Sequence, residues 1–215
     1  MLKAVVFDFD GTLAETCSSI WAEYQRVQDE MGLPKITYRR FGRELGRTWE
    51  DALVAFWPQV DVKEFSRRYR QNAERINKIP GAREALSALS GKYELAVMSS
   101  RGQTVHENLK AAGFEETLFK AVYCRLDLQY TKPDPRALTQ VLEKLGVKPS
   151  EAAYVGDSVI DAECAQKAGI RFIGVLTGGA DMEDFKGAGV EDVIASVAKL
   201  PSFLEGLNKR AHGHV

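Results

Sequence analysis

Short apolar runs alternate with amphipathic stretches along most of the chain. The apolar runs lie in the segments KAVVFD, YELAVMSS, KAVYC, AAYVGD and RFIGVLTGG, and they are rich in Val, Ile, Tyr and Phe. Such runs are typical of strands that are buried on both faces. Between them lie segments with a helical period, GAREALSALS, GQTVHENLKAAG, DPRALTQVLEKLG and SVIDAECAQKAG. The alternation predicts an α/β fold in which helices cover both faces of a parallel sheet.

One of these segments carries both ends of its helix in the sequence. In DPRALTQVLEKLG, Asp134 suits the N-cap position and Pro135 suits the first helical residue. Gly146 marks the end of the apolar stripe. We therefore predict a helix that begins at Pro135 and stops at Gly146.

The alternation is interrupted between about Glu15 and Ile79, where the pattern indicates helices and no strand. Helical patterns lie in SIWAEYQRVQDEMG, TWEDALVAFWP and DVKEFSRRYRQNAERI, and the last begins with a capping box of Asp61 and Glu64. The residues predicted to be buried on that last helix are Phe65, Tyr69, Asn72 and Ile76. We predict an all-helical domain at 15–81, inserted into a core formed by 1–14 and 82–215.

Composition and charge narrow the classes of partner. The net charge is −1 and 45% of the residues are hydrophobic, so the overall charge does not favour nucleic acid or a membrane surface. No stretch approaches the ~20 apolar residues of a membrane span. The three widely spaced cysteines fit reduced thiols, and we expect a cytoplasmic protein. The pattern leaves open whether it is a monomer or a homodimer.

Polar side chains gather where four of the predicted strands end. The carboxyl ends of parallel strands meet at one edge of the sheet, where ligands bind. Read singly, each of these groups is ordinary, since an isolated D-x-D pair is usually a solvated turn. Their common position at strand ends makes the set informative. It comprises Asp8 and Asp10, Ser99 and Ser100, Lys132, and Asp157 and Asp161.

These residue types together suit phosphoryl chemistry on a metal. Several carboxylates in one crevice repel one another unless a cation joins them, and ligands that offer only oxygen favour Mg²⁺. Asp8 could act as a nucleophile and Asp10 as its proton donor and acceptor. Ser99, the backbone N–H groups after Asp8 and the charge of Lys132 could hold an anionic phosphoryl group. Gly11 permits a sharp turn after the two acids.

The order DFDGTL, VMSS, KPDP and GDSVID resembles the haloacid dehalogenase superfamily of phosphohydrolases, most of all its phosphoglycolate phosphatase-like members. The resemblance covers residues 1 to about 178. It implies a Rossmann-like core and assigns 15–81 to a helical cap that closes over the substrate. The dehalogenases of the superfamily lack the second acid of the first motif, so Asp10 indicates phosphoryl rather than carbon–halogen chemistry.

The resemblance also implies roles for individual residues. Asp8 would form an aspartyl-phosphate, and Asp10 would be the general acid and base while its backbone carbonyl binds Mg²⁺. Asp8 and Asp157 would be further metal ligands, with Asp161 binding directly or through water. Ser99 and Lys132 would complete the catalytic set by holding the phosphoryl group. The substrate would also contact Phe9, Gly11, Thr12, Ser100 and Arg101, although Ser100 stands where many relatives have Asn.

The predicted cap contains a possible second anion site. Arg39, Arg43 and Arg47 recur every four residues and would form one basic face if the segment is helical. Arg43 and Arg47 are then candidates to bind a second anionic group of the substrate, such as a carboxylate. The alternative is a solvated helix face paired with Glu44 and Glu50.

Three functions are compatible with these patterns. The first is a Mg²⁺-dependent phosphatase that acts on a small phosphorylated metabolite, phosphoglycolate-like or a sugar phosphate. The second is a phosphomutase of the β-phosphoglucomutase type, which would return the phosphoryl group to a sugar. The third is a non-catalytic scaffold, against which the complete set of acids argues, since close carboxylates cost stability without a metal.

Overall fold

A six-stranded parallel sheet forms the centre of the protein in the computed structural model, which describes residues 1–69, 76–102 and 104–212. The strand order is β5-β4-β1-β6-β7-β8, so the strands that end in Met98, Phe7 and Gly156 are neighbours. The strands of the sheet are β1 (Ala4–Phe7), β4 (Glu94–Met98), β5 (Ala121–Tyr123), β6 (Ala152–Gly156), β7 (Arg171–Val175) and β8 (Val193–Ile194). A separate antiparallel pair is formed by β2 (Ala14–Glu15) and β3 (Asn77–Lys78).

Helices cover both faces of this sheet, which confirms the predicted α/β fold. Alternate residues of β1 point to opposite faces: Val5 and Phe7 into one buried cluster, Ala4 and Val6 into another. Helices α5 (Ala82–Ser90), α6 (Thr104–Ala111) and α10 (Leu200–His212) contribute to the first cluster, and α7 (Pro135–Leu145), α8 (Val159–Lys167) and α9 (Met182–Gly187) to the second. Both faces of the sheet are buried, which explains why the strand sequences are continuously apolar.

The helix predicted in DPRALTQVLEKLG has the expected ends. The Asp134 side chain accepts a hydrogen bond from the Arg136 N–H at 2.9 Å, and Pro135 is the first helical residue. Gly146 closes α7 with φ of 72°, a left-handed conformation that glycine adopts without steric cost. Both ends of the helix were thus readable from the sequence.

A third apolar cluster lies in the predicted cap. It is built by helices α1 (Cys17–Glu30), α2 (Tyr38–Glu44), α3 (Trp49–Phe56) and α4 (Val62–Arg68). The Tyr24 ring is at its centre, with centroids 5.2–5.9 Å from those of Phe41, Trp49, Phe56, Phe65 and Tyr69. Edge-to-face ring pairs of this kind stabilise a small core beyond the area they bury. The boundaries at 15–81 stay a prediction.

The structure corrects two details of this region. The expectation of no strand between Glu15 and Ile79 is wrong at both ends, because β2 and β3 pair where the chain leaves and re-enters the core. Helix α4 ends at Arg68, and Ile76 packs in the cluster under the sheet rather than on a stripe with Phe65. Asn72 lies outside the described residues.

The start of α4 follows the sequence only in part. The Asp61 side chain accepts from the Glu64 N–H at 3.0 Å and caps the helix as expected. The Glu64 carboxylate instead accepts hydrogen bonds from Arg67 and Arg68.

None of the helices in the described part of the chain combines the length and the apolar character needed to cross a membrane.

Candidate active site

The carboxyl edge of the sheet brings together the strand-end residues predicted from the sequence. Asp8 follows β1, and its N–H donates to the Val155 carbonyl of β6 at 2.9 Å. Ser99 follows β4 and its N–H donates to the Tyr123 carbonyl at 2.9 Å, so the ladder continues past the strand ends. Because β4, β1 and β6 are adjacent and parallel, Ser99, Asp8 and Asp157 share one edge.

Lys132 is the centre of a buried hydrogen-bond network at this edge. Its Nζ donates to Asp8 Oδ1 at 2.7 Å, to Asp161 Oδ1 at 2.8 Å and to the Tyr154 hydroxyl at 3.1 Å. Lys132 is 3% exposed, Asp8 4% and Asp161 0%. Burial lowers the lysine pKa, but the carboxylates of Asp161 and Asp8 outweigh it and raise the pKa above its ordinary value. Lys132 is therefore charged and fixed against Asp8.

Asp8, Asp157 and Asp161 form the acidic cluster of the site. Each offers a carboxylate oxygen within 4.8 Å of the others. Burial raises the pKa of Asp8 to about 7 although Lys132 lowers it, and burial together with Asp8 and Asp161 raises that of Asp157 well above its ordinary value. A divalent cation would relieve this repulsion, and oxygen-only ligands suit Mg²⁺. The residues present thus fit the metal that the sequence implied.

Within this cluster, Asp161 is the most fully engaged residue. Its Oδ1 accepts from Lys132 and from the Tyr154 hydroxyl at 2.7 Å, and its Oδ2 accepts from the Ser158 hydroxyl at 2.5 Å. Asp157 Oδ2 accepts from the Gly179 N–H at 2.7 Å. These contacts suit a residue that positions Lys132. They favour an Asp161 that binds the metal through water over one that binds it directly.

Asp10 lies beside the acidic cluster but its carboxylate points elsewhere. Arg101 binds both of its oxygens, with Nη2 at 2.6 Å from Oδ1 and Nε at 2.7 Å from Oδ2, and Thr16 Oγ1 donates to Oδ1 at 2.5 Å. Burial raises the pKa of Asp10, but the Arg101 guanidinium and the Thr16 hydroxyl outweigh it and lower the pKa. Asp10 is therefore ionised, and any metal contact would fall to its backbone carbonyl.

The turn after Asp8 presents backbone donors. The N–H groups from Gly11 to Ala14 donate to Phe9 or Ala14 carbonyls, whereas those of Phe9 and Asp10 have no hydrogen-bond partner within the described residues. Gly11 has φ of 67°, and a Cβ there would clash with Asp157 Oδ2. Free N–H groups at such a turn suit phosphoryl oxygens.

The other residues predicted to contact substrate differ in what they face. Phe9 and Thr12 are fully buried; Phe9 offers its free backbone N–H, whereas the Thr12 N–H donates to the Phe9 carbonyl and the buried Thr12 hydroxyl has no hydrogen-bond partner among the described residues. The Ser99 hydroxyl is buried and accepts from the Arg101 N–H at 3.1 Å, whereas Ser100 Oγ donates to the Gly46 carbonyl of the predicted cap at 2.5 Å. Ser100 therefore joins cap to core in this structure.

A cavity of about 410 Å³ lies between this edge and the predicted cap. Asp8, Asp10 and Asp157 line its floor, and residues of α1, α3 and the segment after α2 line its opposite wall. The lining includes Ile20, Tyr24, Glu44, Arg47, Trp49, Glu50, Ser66, Tyr69, Ser100, Arg101 and Arg125. A cavity of this size can enclose a small metabolite.

Arg39, Arg43 and Arg47 together line a second cavity, one that Asp8 does not line, but they do not form the predicted helical face. Helix α2 ends at Glu44, and Gly46 has φ of 95°, so Arg47 lies beyond the helix. Arg47 also lines the first cavity and pairs with Glu44 at 2.6 Å. Arg43 instead donates to Asp184 Oδ1 at 3.0 Å, outside the lining of the first cavity, and Arg39 joins the same carboxylate at 3.5 Å.

Two cavity residues were missed as candidates. Arg125 directly follows β5 and Cys124, so the strand-end argument that selected Asp8 could have selected it as well. The sequence pattern suggests Glu50 only as a partner for the cap arginines. Its Oε1 lies 3.7 Å from Arg125 Nη2, and this ion pair connects cap and core.

Comparisons with known proteins agree with this geometry. The phosphorylated carbohydrates phosphatase of Thermotoga maritima is 30% identical over 187 residues, which cover 81% of this chain and 86% of that protein. A phosphoglycolate phosphatase of Cupriavidus necator is 26% identical over 94% of this chain and 92% of that protein. The crystal structure of a hydrolase from Pseudomonas syringae superposes with a TM-score of 0.84 at 25% identity, covering 95% of this chain and 98% of that one.

The family assignment rests on a match over most of the chain. The model of the family described as haloacid dehalogenase-like hydrolase matches residues 5–175, a range that contains Asp8, Ser99, Lys132 and Asp157. The relatives match beyond these motifs, through the helical insertion as well. The chain therefore belongs to the haloacid dehalogenase-like hydrolase family.

Proposed function

We propose that the protein is a Mg²⁺-dependent phosphatase that hydrolyses a small phosphorylated metabolite through an aspartyl-phosphate on Asp8. The observation that carries the proposal is the position of Asp8. Its carboxylate is fixed by Lys132 at the floor of the cavity, next to two further acids and two free backbone N–H groups. This arrangement supports roles for these groups as nucleophile, cation site and phosphoryl-binding groups within one crevice.

Each of these residues would have its own role in a reaction of two steps. Asp8 attacks phosphorus, the bond to the leaving oxygen breaks, and that oxygen takes a proton from Asp10. Water then attacks the aspartyl-phosphate while Asp10 accepts a proton, which releases phosphate and restores Asp8. Lys132, Ser99 and the N–H groups of Phe9 and Asp10 hold the phosphoryl oxygens. Bound Mg²⁺, held by Asp8, Asp157 and the Asp10 carbonyl with Asp161 in support, would neutralise charge on the phosphoryl group.

Arg101 adds a condition to this scheme. Its three hydrogen bonds keep Asp10 ionised, which is the form needed to accept a proton from water. Proton donation to the leaving group requires a protonated Asp10, and so requires Arg101 to loosen its hold. A phosphoryl group in the cavity would compete for the same guanidinium.

The domain boundaries, the substrate class, the cellular location and the partners are part of the same proposal. The cap would comprise 15–81 and the core 1–14 and 82–215, with the substrate enclosed between them. Both phosphoglycolate and a phosphorylated carbohydrate are candidate substrates, since relatives bear names of each kind. The three cysteines are buried and free, which supports a cytoplasmic location. We expect neither nucleic acid nor membrane as a partner.

A phosphate-release assay tests the function. We expect release from an aryl phosphate in Mg²⁺, loss of release in EDTA and recovery when Mg²⁺ is returned. A panel of phosphorylated metabolites should then identify the physiological class. Indifference to chelation would exclude the metal, and isomerisation of a sugar monophosphate without net release would assign the mutase alternative. Absence of both reactions would support the scaffold alternative.

A further inference from the structure

The upper half of the cavity, facing the cap, is large and aromatic. At about 410 Å³ the cavity lies within the range of roughly 300–1,000 Å³ that is usual for small-molecule sites. Phosphoglycolate carries only a two-carbon acid beyond its phosphoryl group and would leave much of this space unfilled. The volume suits a leaving group with a ring.

Two rings form the broad wall of this upper half. The centroids of Trp49 and Tyr69 are 4.4 Å apart, and both residues line the cavity. The indole N–H of Trp49 donates to Ser66 Oγ at 2.9 Å, so its hydrogen-bonding capacity is already used. Trp49 therefore offers apolar ring surface, which suits the C–H face of a sugar ring.

Each arginine of the cavity is paired with a carboxylate. Among the described residues that line it, Arg47 pairs with Glu44, Arg101 with Asp10 and Arg125 with Glu50. A substrate carboxylate would lie beside the carboxylate that already faces each of these arginines. The repulsion between the two like charges disfavours an anionic leaving group at this end of the cavity.

Hydroxyl groups meet no such penalty at the Glu50–Arg125 pair. The 3.7 Å between Arg125 Nη2 and Glu50 Oε1 exceeds a hydrogen bond, so both groups keep capacity for further bonds. A hydroxyl can donate to the carboxylate while its neighbour accepts from the guanidinium. Arg125 is also anchored, since its N–H donates to the Arg101 carbonyl at 2.7 Å.

Resting on the proposed phosphatase function, we propose that Glu50 and Arg125 form a hydroxyl-recognition subsite that selects a cyclic sugar phosphate over phosphoglycolate. One residue comes from the cap and the other from the core, so the subsite exists only when the two are together. The aromatic wall would position the ring while Asp8 receives the phosphoryl group.

The test compares three substrates in Mg²⁺: glucose 6-phosphate, 2-phosphoglycolate and 4-nitrophenyl phosphate. We expect kcat/KM for glucose 6-phosphate to exceed that for 2-phosphoglycolate by at least about tenfold. Glu50→Gln and Arg125→Gln should each lower kcat/KM for glucose 6-phosphate by about 10- to 100-fold, the range for hydrogen bonds to charged groups. The same variants should lower it far less for the aryl ester.

Glu30→Gln is the matched control, because Glu30 is also a cap glutamate paired with arginine and is 43% exposed against 49% for Glu50. It lies outside the cavity lining, so the ratio between the substrates should stay constant. A preference for 2-phosphoglycolate, or an equal loss on all three substrates in the Glu50 and Arg125 variants, would overturn the proposal.

A binding measurement separates this inference from the proposed function. Calorimetric titration of Asp8→Asn protein in Mg²⁺ with glucose 6-phosphate and 2-phosphoglycolate needs no turnover. If the wild type releases no phosphate, the phosphatase assignment fails, and the titration still decides the subsite. Tighter binding of glucose 6-phosphate, weakened by Glu50→Gln, supports it; equal or reversed affinities refute it.

Discussion

The two ends of the cavity differ in how deeply their charged side chains are buried and how closely these are paired. At the phosphoryl end, the side chains of Lys132 and Asp8 are only 2% and 5% exposed, and Lys132 donates to three side chains. At the cap end, the Glu50 and Arg125 side chains are 49% and 35% exposed and meet at 3.7 Å. Buried, interlocked charges are costly to disturb, whereas exposed pairs contribute little to stability. Removing the shared charge of Lys132 should therefore cost stability as well as chemistry, whereas substitutions at the second end should alter selectivity alone.

The largest effect should come from Asp8→Asn. The amide cannot form the phosphoryl bond, so we expect kcat for an aryl phosphate to fall about 10⁴-fold or more. Circular dichroism should show an intact fold, since the amide is isosteric with the carboxylate. Asp29→Asn is the control, because Asp29 is an exposed cap acid paired with Lys35. Substantial activity in Asp8→Asn protein would refute the nucleophile assignment.

Lys132→Met should have the largest effect on stability. It leaves Asp8 and Asp161 buried without their shared cation, at a cost of about 3–5 kcal/mol in the free energy of unfolding. Tyr154→Phe removes one hydroxyl from the same network and should cost only about 1 kcal/mol. Urea denaturation in Mg²⁺-free buffer measures both. Similar small losses in the two variants would show that the lysine is not the centre of the network.

The contrast between the two ends of the cavity also explains which site residues could be predicted from the sequence. Asp8, Ser99 and Asp157 directly follow apolar runs that must be buried strands, so the sheet edge brings them together once the strands are known. Tertiary contacts instead position Glu50, Arg43 and the short strands β2 and β3. Local periodicity could not show that α2 stops at Glu44, or that Arg43 would find Asp184 some 141 residues away.

Arg47 and Arg43 offer a direct comparison of cavity and exterior. Arg47→Ala changes the cavity wall, so we expect KM for the preferred substrate to rise about threefold to tenfold, as for the loss of one hydrogen bond of about 1 kcal/mol. Arg43→Ala should leave KM nearly unchanged and lower the free energy of unfolding by about 1 kcal/mol or less. Steady-state kinetics and urea denaturation on both variants check this. A larger KM effect in Arg43→Ala would return Arg43 to the substrate site.

The smallest effect should be a pH-dependent change in the free energy of unfolding at Asp184, which accepts hydrogen bonds from Arg43 of α2. Burial opposes ionisation of this carboxyl, but the hydrogen bonds from Arg43 and the Asp181 N–H outweigh it and lower its pKa. A lowered native pKa means that the ionised form stabilises the fold above the ordinary Asp pKa of about 3.9. This contribution is lost as the pH falls through the native pKa.

The difference in unfolding free energy between the wild type and Asp184→Asn should therefore be full at neutral pH and shrink in acid. We expect about 1 kcal/mol or less at its maximum, because Arg39 and Arg43 are about half exposed. Denaturant titrations across the acid range measure it. In an Arg39→Ala/Arg43→Ala background the same substitution should show a smaller, flatter difference, since the cations that lower the pKa are gone. A difference that is independent of pH in the wild-type background would mean that Asp184 acts through its helix-capping contacts rather than as a charge that holds the cap against the core.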